Sequence, residues 1–378
     1  MQYRPFGKTG FDVSVLGFGA MRLPFLNSDM QQIDEPKAIA MIRAAVDGGV
    51  NYIDSAYVYH GGSSETLVGK ALKDGYRARV KVATKMPVWA VHSRADMDRF
   101  LAEQLTRLDD TVIDYYLLHS LDRGVWSKMR NLDVMRWAEL QIKQGRIGHI
   151  GFSFHGDAAA FRDICDGYDW EFCQVQYNYM DTAEQAGLKG LRYAASKGMA
   201  VIVMEPLKGG KLAAPPEPVQ EIFRDAGPGR SPAEWALHWA WDEPGVSTVL
   251  SGMSELDEVT ENLAIAGRSR AGLLGDADRL VYQRVRTVYN RITAVKCTDC
   301  KYCLPCPQGV EIPRNFALYN DGYRYGTFRN GSFMYWNWMR PEHRAENCNA
   351  CGRCEKKCPQ KIKIRTELKN VREAFARK

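Results

Sequence analysis

The chain has 378 residues, ten of them cysteines, and a formal net charge of +6. Eight of the cysteines fall into two tight clusters near the end of the sequence, which disfavours a framework of disulfides across an extracellular fold. The opening "MQYRPFGKTG" has no apolar signal core, and no apolar run approaches the roughly 18 residues of a membrane helix. We therefore expect a soluble protein of the reducing cytoplasm, without a membrane partner.

Short β-rich runs alternate with amphipathic helical stretches through the first two thirds of the sequence. Examples are "VSVLGFG" before "DEPKAIAMIRAAVDGG", "VNYID" before "SSETLVGKALKD", and "VKVATK" before "SRADMDRFLAEQLTRL". Eight such units in about 265 residues favour a (β/α)8 TIM barrel over an open doubly wound sheet. No G-x-G-x-x-G motif opens a helix after the first strand, which also disfavours a Rossmann fold. We predict an α/β chain with its barrel in residues 1–294 and a second domain in residues 295–378.

Polar residues stand where the predicted barrel strands end, and a TIM barrel carries its chemistry at those carboxyl ends. The strand ends carry Gly17 to Gly19, Asp54, Lys85, His119, Ser153, Gln174, Asn178, Glu205, Pro206, Ser251 and Gly252. Each has a structural explanation by itself: Asp54 can cap a helix, Lys85 can be solvated, and His119 can be a hydrogen-bonded core histidine. Tyr59 lies five residues beyond Asp54, on the same predicted loop.

Together, Asp54, Tyr59, Lys85 and His119 have a chemical meaning that none has alone. A buried lysine beside a tyrosine favours the phenolate and lowers the pKa of the phenol, and a carboxylate facing the lysine keeps it charged. A histidine can orient a carbonyl oxygen. Such a site can protonate an alkoxide as it forms, so we predict an enzyme that reduces a carbonyl or oxidises the matching alcohol.

Several motifs resemble the aldo/keto reductases in order and spacing over nearly all of residues 1–270. They are "DSAYVYHGGSSETLVGKAL", "VATKMP", "DYYLLH", "GFSFH", "QVQYN", "PLKGGKL" and "SGMSELDEVTENL". The resemblance implies that Tyr59 is the general acid, that Lys85 and Asp54 tune it, and that His119 orients the substrate carbonyl.

The same resemblance implies a nicotinamide cofactor, NAD(H) or NADP(H). The nicotinamide contacts map onto Gly19, Ala20, Met21, Asp54, Ser153 and Gln174. The diphosphate loop maps onto Leu207 to Leu212, which includes Gly209 and Lys211. The adenosine contacts map onto Gly252, Met253, Glu258, Glu261 and Asn262.

Two positions depart from the family pattern. Met204 stands where the family usually stacks an aromatic ring on the nicotinamide, and Glu258 stands where many members place an arginine for the 2′-phosphate. A carboxylate repels that phosphate and can accept hydrogen bonds from free ribose hydroxyls, so NADH is favoured. Two alternatives stay open: Glu258 can point to solvent, or Lys208 or Lys211 can supply the missing positive charge.

The cysteine clusters read "CTDCKYCLPCP" and "CNACGRCEKKCP". C-x2-C-x2-C followed shortly by C-P favours cubane iron–sulfur clusters over zinc, whose sites usually pair two C-x2-C units across a long gap. The segment resembles a small α+β ferredoxin module with two [4Fe-4S] clusters, which implies crossed ligation. One cluster then takes Cys297, Cys300, Cys303 and Cys358, and the other takes Cys348, Cys351, Cys354 and Cys306. Cys165 and Cys173 are interpreted as small buried hydrophobes.

Charge separates the two predicted domains. From Lys296 onward there are 17 Lys/Arg and 8 Asp/Glu, a net charge of +9, whereas the preceding residues carry −3. Part of this positive charge lies beside the cysteines and can offset the negative charge of thiolate-bound iron and sulfide. The rest can steer an acidic redox carrier such as a ferredoxin or flavodoxin. A solvated face is the alternative, and we expect no nucleic-acid partner.

The coupling of the two domains leaves further hypotheses open. A nicotinamide moves two electrons as hydride, whereas a cubane moves one at a time, so direct coupling needs a one-electron carrier such as a flavin. A second hypothesis is therefore a ferredoxin-driven reductase with a flavin, or no nicotinamide, at the barrel mouth. A third is a redox-sensing or interaction subunit without catalysis, which the complete set of four catalytic residues disfavours.

Overall fold

The computed structural model describes residues 1–27 and 29–377, with Asn330 described by its backbone alone. The chain folds as two compact units. The first comprises Met1–Gly209 and Ala233–Gly275, and the second comprises Gly210–Pro232 and Asp276–Lys378. The boundary predicted at Ala294 falls inside the second unit, because the helix that precedes Ala294 packs on another helix of that unit.

The first unit contains a closed barrel of eight parallel strands, which confirms the predicted fold class. A hairpin of β1 (Tyr3–Pro5) and β2 (Asp12–Ser14) precedes it. The barrel strands are β3 (Leu16–Gly19), β4 (Tyr52–Asp54), β5 (Lys81–Met86), β6 (Ile113–Leu121), β7 (Ile147–Phe154), β8 (Phe172–Gln176), β9 (Ala200–Met204) and β10 (Thr248–Ser251). Strand β10 pairs with both β3 and β9, and this pairing closes the barrel.

Helices connect the strands, because parallel strands need a crossover connection on the outside of the sheet. Along the described residues they are α1 (Glu35–Asp47), α2 (Ser64–Ala71), α3 (Arg94–Leu108), α4 (Arg123–Asn131), α5 (Val134–Lys143), α6 (Ala158–Asp166), α7 (Gly187–Ser196), α8 (Glu217–Ala226), α9 (Pro232–Asp242), α10 (Leu256–Gly267), α11 (Asp276–Arg291), α12 (Ile312–Tyr325), α13 (Phe328–Asn337), α14 (Arg353–Lys357) and α15 (Ile364–Ala374). Strands buried on both faces read as continuous apolar runs, as in AVIVM of β9.

The second unit consists of α8 and α11 to α15, and the small core of its cysteine-rich part includes Val310, Phe316, Leu368 and Phe375. The sequence predicted an α+β module for its cysteine-rich part. The described residues of this part form helices, and the cysteine loops between them stay irregular. No helix within the described residues combines the length and apolar character that crossing a membrane requires.

Candidate active site and cluster sites

Three of the four predicted catalytic side chains are in contact at the carboxyl ends of β4 and β5. Lys85 Nζ donates to Asp54 Oδ1 at 2.5 Å and to the Ser55 carbonyl at 2.7 Å, and it lies 3.3 Å from the Tyr59 hydroxyl. The strand register explains this meeting. Asp54 is paired with Ala83, and Lys85 lies two residues further along β5, on the same face. Lys85 and Asp54 are almost completely buried.

The loop after β4 turns sharply to present Tyr59. His60, Gly61 and Gly62 follow it with φ angles of 52°, 64° and 100°, all in the left-handed region. The two glycines adopt this conformation without steric cost, whereas His60 needs support. That support is a hydrogen bond of 2.7 Å between His60 Nδ1 and the Met30 carbonyl. The turn therefore fixes the direction of the tyrosine.

His119 lies at an irregular point of β6 and faces Tyr59. The pairing of β6 with β7 shifts register between Leu118 and Leu121, as in a β-bulge, and bulges commonly redirect side chains next to functional sites. Ser120 has a φ of 57°, and its N–H donates to Ser153 Oγ at 2.7 Å. The His119 ring centroid is 6.1 Å from that of Tyr59. Its Nδ1 is buried and has no hydrogen-bond partner among the described residues.

Burial governs the protonation of this site. It raises the pKa of the Tyr59 phenol, and the neighbouring Lys85 offsets only part of this rise. The lowered phenol pKa expected from the sequence is therefore not seen, because the barrel mouth removes solvent from the phenolate. Burial opposes the charge on Lys85, yet Asp54 and Tyr59 outweigh it and raise the lysine pKa. Burial lowers the pKa of His119 far below its ordinary value, and the positive charge of Lys85 lowers it further, so the imidazole is neutral.

A buried polar network supports Lys85 from the side of α2 and α3, and the sequence analysis missed it. Glu65 is completely buried and accepts hydrogen bonds from Thr84 Oγ1 and Gln104 Nε2, each at 2.5 Å. Arg107 pairs with the same carboxylate at 3.1 Å. Gln104 Nε2 also lies 3.1 Å from the carbonyl of Lys85, which ties the catalytic strand to the network. A buried glutamate is costly without such partners, and its helical spacing alone did not indicate them.

The predicted nicotinamide contacts surround the catalytic group at the barrel mouth. Gln174 carries a buried Oε1 without a hydrogen-bond partner among the described residues, and its Nε2 lies 3.6 Å from Met204 Sδ. An unpaired buried acceptor suits an amide donor, so the site fits a carboxamide. Ser153 holds the Ser120 amide but keeps its own hydroxyl proton to donate. Gly19, at the end of β3, and Ala20, in the turn that follows, are buried, whereas Met21 in the same turn is exposed.

The predicted diphosphate loop is strongly bent, and both of its lysines are paired. Lys208, Gly209 and Gly210 have φ angles of 48°, 68° and 86°. In the first unit Lys208 Nζ lies 2.6 Å from Asp181, and in the second unit Lys211 Nζ lies 2.6 Å from Asp321. These aspartates neutralise the two lysines that the sequence offered as cations for a 2′-phosphate. Leu207 precedes the bend, and the buried Leu212 follows it.

Arg22 is a cation near this loop that the sequence analysis did not select, although it directly follows Met21. A Cβ on Gly209 would lie 2.8 Å from Arg22 Nη2, and a Cβ on Gly252 would lie 3.2 Å from the carbons of the same side chain. The guanidinium stem therefore runs between two predicted cofactor loops. Arg22 has no carboxylate partner within 4.0 Å among the described residues.

Glu258 is the third residue of α10 and takes part in the capping box at the start of that helix. Its Oε2 accepts from the backbone N–H of Ser254 at 2.7 Å and of Glu255 at 3.2 Å, within a capping box of α10. A helix N-terminus is a favourable place for an anion, and here the Glu258 carboxylate already takes the N–H groups of the two residues that precede α10. Of the other predicted adenosine contacts, Gly252 and Glu261 are exposed and Met253 is buried. Asn262 is buried and donates to Ser251 Oγ at 3.0 Å.

Four cysteines surround a cavity in the second unit. Cys297, Cys300 and Cys303 of the first run line it together with Cys358 of the second run. The rest of its lining is mostly apolar, from Ile312, Pro313, Phe316, Ile362 and Ile364, and also includes Thr298, Lys301 and Gln360. Four thiols in an apolar setting are the donor set of a [4Fe-4S] cluster, so the residues fit the group and the crossed scheme. Within the described residues, no three His, Cys, Asp or Glu side chains converge tightly enough for one metal ion.

The remaining predicted ligands lie around the same small core. Cys306, Cys348 and Cys354 are partly buried against it, while Cys351 is exposed, as is Cys300 of the first site. Their grouping into a second cluster site stays a prediction. Cys165 and Cys173 are fully buried in the barrel core. Burial raises the pKa of Cys165 to about 12, as expected for an unreactive apolar thiol.

Residues 15–268 match the aldo/keto reductase family, and residues 296–363 match a 4Fe-4S dicluster domain. The chain therefore belongs to the aldo/keto reductase family and carries a C-terminal 4Fe-4S domain. It is an oxidoreductase by family, as the sequence predicted.

Individual relatives agree with this assignment. Over 155 residues the chain is 33% identical to "Probable aldo-keto reductase 1" of Glycine max, an alignment that spans 39% of this chain and 43% of that protein. It is 28% identical over 284 residues to L-galactose dehydrogenase of Arabidopsis thaliana, spanning 70% and 88%. A crystal structure of an aldo-keto reductase from Klebsiella pneumoniae with NADPH has a TM-score of 0.60 at 21% identity, over 76% of this chain and 96% of that one. This last likeness concerns the fold.

Proposed function

We propose that the chain reduces a carbonyl, or oxidises the matching alcohol, at the barrel mouth with Tyr59 as the proton donor. The observation that carries this proposal is the buried Lys85, whose ammonium contacts Asp54 at 2.5 Å and the Tyr59 hydroxyl at 3.3 Å. A phenol next to a fixed cation can release its proton to an alkoxide and tolerate the resulting negative charge. Asp54 keeps that cation protonated.

A nicotinamide held at the barrel mouth would supply the hydride for this reaction. The protein supplies the proton, the orientation and the exclusion of water. His119, which is neutral, donates a hydrogen bond to the substrate carbonyl and holds it toward Tyr59. Gln174 and Ser153 would hold the carboxamide, and Arg22 would add the positive charge that the paired Lys208 and Lys211 do not offer to the diphosphate.

The proposed nucleotide is NADH. The Glu258 carboxylate accepts from the N–H groups of Ser254 and Glu255, just before α10, so a 2′-phosphate at this helix end would meet a negative charge. The Klebsiella pneumoniae structure contains NADPH. The assignment to NADH therefore rests on Glu258 of this chain and not on that relative.

The proposed electron partner of the clusters is an acidic redox carrier. Arg353, Lys356, Lys357, Lys361 and Lys363 are exposed near the second cysteine run. None of them forms an ion pair within 4.0 Å among the described residues. Unpaired positive charge raises the encounter rate with an acidic protein at low ionic strength. The proposal places the enzyme in the reducing cytoplasm, where eight cysteines stay available as ligands.

The proposed substrate class starts from the Arabidopsis thaliana relative, whose name describes a sugar dehydrogenase. Trp89 lies beside the catalytic histidine, with ring centroids 5.1 Å apart, and is 46% exposed. It offers an apolar face on which the carbon skeleton of a bound polyol can lie. Polyhydroxylated alcohols and their carbonyl forms are therefore the first class to screen.

The test of the proposed function is Tyr59→Phe. The variant should fold and bind nucleotide like the wild type, yet lose about 10²- to 10⁴-fold in the rate of carbonyl reduction, because the proton donor is absent. In the wild type, the raised pKa of Tyr59 keeps the donor protonated and the lowered pKa of His119 keeps it neutral, so reduction should be flat between about pH 7 and pH 9. Wild-type turnover by Tyr59→Phe would reject the assignment, and failure of both nucleotides to bind would favour the ferredoxin-driven alternative.

A further inference from the structure

Glu205 is a polar residue of the barrel mouth that the proposed reaction does not use. It directly follows β9, at a carboxyl strand end, and is exposed. Burial raises the pKa of the Tyr59 phenol, and the Glu205 carboxylate contributes to this rise. Because a charge acts in this way only at short range, Glu205 lies close to the proton donor. It is therefore available to a substrate that approaches Tyr59.

The backbone of Glu205 is strained. Its φ of 54° lies in the left-handed region, although it carries a long side chain and precedes Pro206, which favours an extended residue before it. Two hydrogen bonds hold its carbonyl: Asn178 Nδ2 donates at 3.1 Å and the Lys208 N–H donates at 3.0 Å. Strain that the surroundings maintain in this way is common at ligand sites. Here it sets the direction in which the Glu205 side chain leaves the strand.

His155 lies on the same side of the mouth, directly after β7 and exposed. Its backbone N–H donates to the Leu121 carbonyl at 3.1 Å, which ties it to the end of β6. Desolvation by the surrounding protein lowers the pKa of His155, and the nearby Glu205 carboxylate opposes this shift without cancelling it. The imidazole is therefore neutral above about pH 7 and can donate one hydrogen bond and accept another.

Gln185 is the third polar side chain of this cluster. Its Nε2 donates to Gln176 Oε1, at the end of β8, at 2.8 Å. Its Oε1 is buried and has no well-formed hydrogen bond among the described residues, although the His155 ring lies beside it. A buried acceptor in this state gains free energy when a ligand hydroxyl donates to it.

We propose that Glu205, His155 and Gln185 form a subsite that binds substrate hydroxyl groups beside the reacting carbonyl and selects uncharged polyhydroxylated substrates over acidic ones. A hydroxyl both donates and accepts, so it suits a carboxylate and an amide oxygen on one side and a neutral imidazole on the other. An acidic substrate would bring a second negative charge next to Glu205. The inference rests on the proposed function, in which the carbonyl lies between Tyr59 and His119.

The test variant is Glu205→Gln. It keeps the strained backbone, because the hydrogen bonds that hold Glu205 involve only its carbonyl oxygen. Initial rates of the full-length protein, with saturating NADH or NADPH, give kcat/KM for three four-carbon aldehydes. Erythrose carries hydroxyl groups, butanal carries none, and succinic semialdehyde carries a carboxylate. Ratios to butanal remove any loss of activity that the three substrates share.

Glu205→Gln should change the two ratios in opposite directions. The ratio of erythrose to butanal should fall about five- to tenfold, because a charged acceptor of hydroxyl protons is lost. The ratio of succinic semialdehyde to butanal should rise about fivefold or more, because the repelling charge is removed. A variant that is merely less stable would change neither ratio. Unchanged ratios in Glu205→Gln would overturn the subsite.

The matched control is Glu171→Gln, at the opposite end of the barrel. Glu171 lies directly before β8 and pairs with His149 Nδ1 at 2.8 Å, so the control also removes a carboxylate that faces a histidine. Both ratios should stay within about twofold of the wild type, because distant sites rarely couple. Equal changes in Glu171→Gln and Glu205→Gln would reject recognition at the mouth.

Binding of erythritol gives a readout that needs no turnover. Ligand-observed NMR should show that Glu205→Gln weakens this binding about threefold or more. If the wild type reduces none of the aldehydes but binds erythritol in this Glu205-dependent way, the proposed reaction is wrong and the subsite holds. If it reduces none of them and its binding of erythritol does not depend on Glu205, both proposals fail.

Discussion

The barrel mouth and the cysteine-rich module differ in how their polar side chains are buried and paired. At the barrel mouth, Lys85 and Asp54 are buried and pair with each other directly through Asp54 Oδ1. In the module, Cys300 and Cys351 are exposed, and the other six cysteines are only partly buried. The first site is organised by contacts between its own side chains, so its geometry belongs to the fold. The second gathers thiols around a cavity, so its stability should depend on the metal that they bind.

The largest expected effect concerns the buried ion pair at the barrel mouth. Lys85→Met leaves the Asp54 carboxylate buried without its partner and should lower the free energy of unfolding by about 3–5 kcal/mol. Lys81→Met is the control on the same strand. Lys81 is 43% exposed, and its partner Asp114 keeps Arg77 at 2.7 Å, so the expected cost is about 1 kcal/mol or less. Urea denaturation of both variants measures the difference. Equal losses in the free energy of unfolding would mean that the burial of Lys85 does not determine the cost of removing it.

The next effect concerns the module. Cys303→Ser removes a ligand from the cavity and should lose about half of the bound iron, roughly four of eight atoms. Cys165→Ser changes a thiol buried in the barrel core and should keep all the iron. Iron analysis and paramagnetic resonance of the reduced proteins make the comparison.

Cys358→Ser sharpens the same experiment. Cys358 belongs to the second run but lines the cavity of the first, so its loss should remove the same resonance signal as Cys303→Ser. If it instead removes the signal that Cys348→Ser removes, ligation is not crossed. Colourless protein that contains zinc would contradict the iron–sulfur assignment for both sites.

The smallest expected effect concerns nucleotide choice. Glu258→Gln keeps a side chain that can cap α10 but removes its negative charge, so the preference for NADH over NADPH should weaken by about 1 kcal/mol, or roughly fivefold in relative affinity. Asp257→Asn makes the same change of charge one residue earlier, whereas the Ser254 and Glu255 N–H groups donate to Glu258, so it should shift the ratio less than twofold. Parallel titrations of both nucleotides measure it. Tighter binding of NADPH than NADH by the wild type would contradict the assignment.

The sequence predicted the barrel well because its information is local. Alternating β-rich and helical patterns specify eight strand–helix units, and parallel strands with such crossovers close in one handedness. Strand ends then identify Asp54, Lys85 and His119 without any knowledge of distance. The register of β4 against β5, which brings Lys85 beside Asp54, is not specified by this alternation and comes from the structure.

Such local patterns did not predict contacts between residues that are far apart in the sequence. The pairing of Lys211 with Asp321 joins residues that are 110 positions apart, and no spacing indicates it. The net pKa of Tyr59 was also missed, since it depends on how far solvent is excluded and not only on the neighbouring lysine. In the module, short irregular cysteine loops carry little periodicity, so the sequence did not show that the described elements between them are helices.

The buried network around Glu65 has a consequence for how this catalytic site can change over evolution. Thr84, Gln104 and Arg107 all direct donors at its carboxylate. Replacing any one member leaves another with an unsatisfied buried polar atom, at a cost of about 1–3 kcal/mol against a total stability of about 5–15 kcal/mol. Substitutions at these four positions should therefore be strongly epistatic. Mutant libraries that change the environment of Lys85 should vary the four positions together, because most single substitutions at these positions lower the stability of the protein.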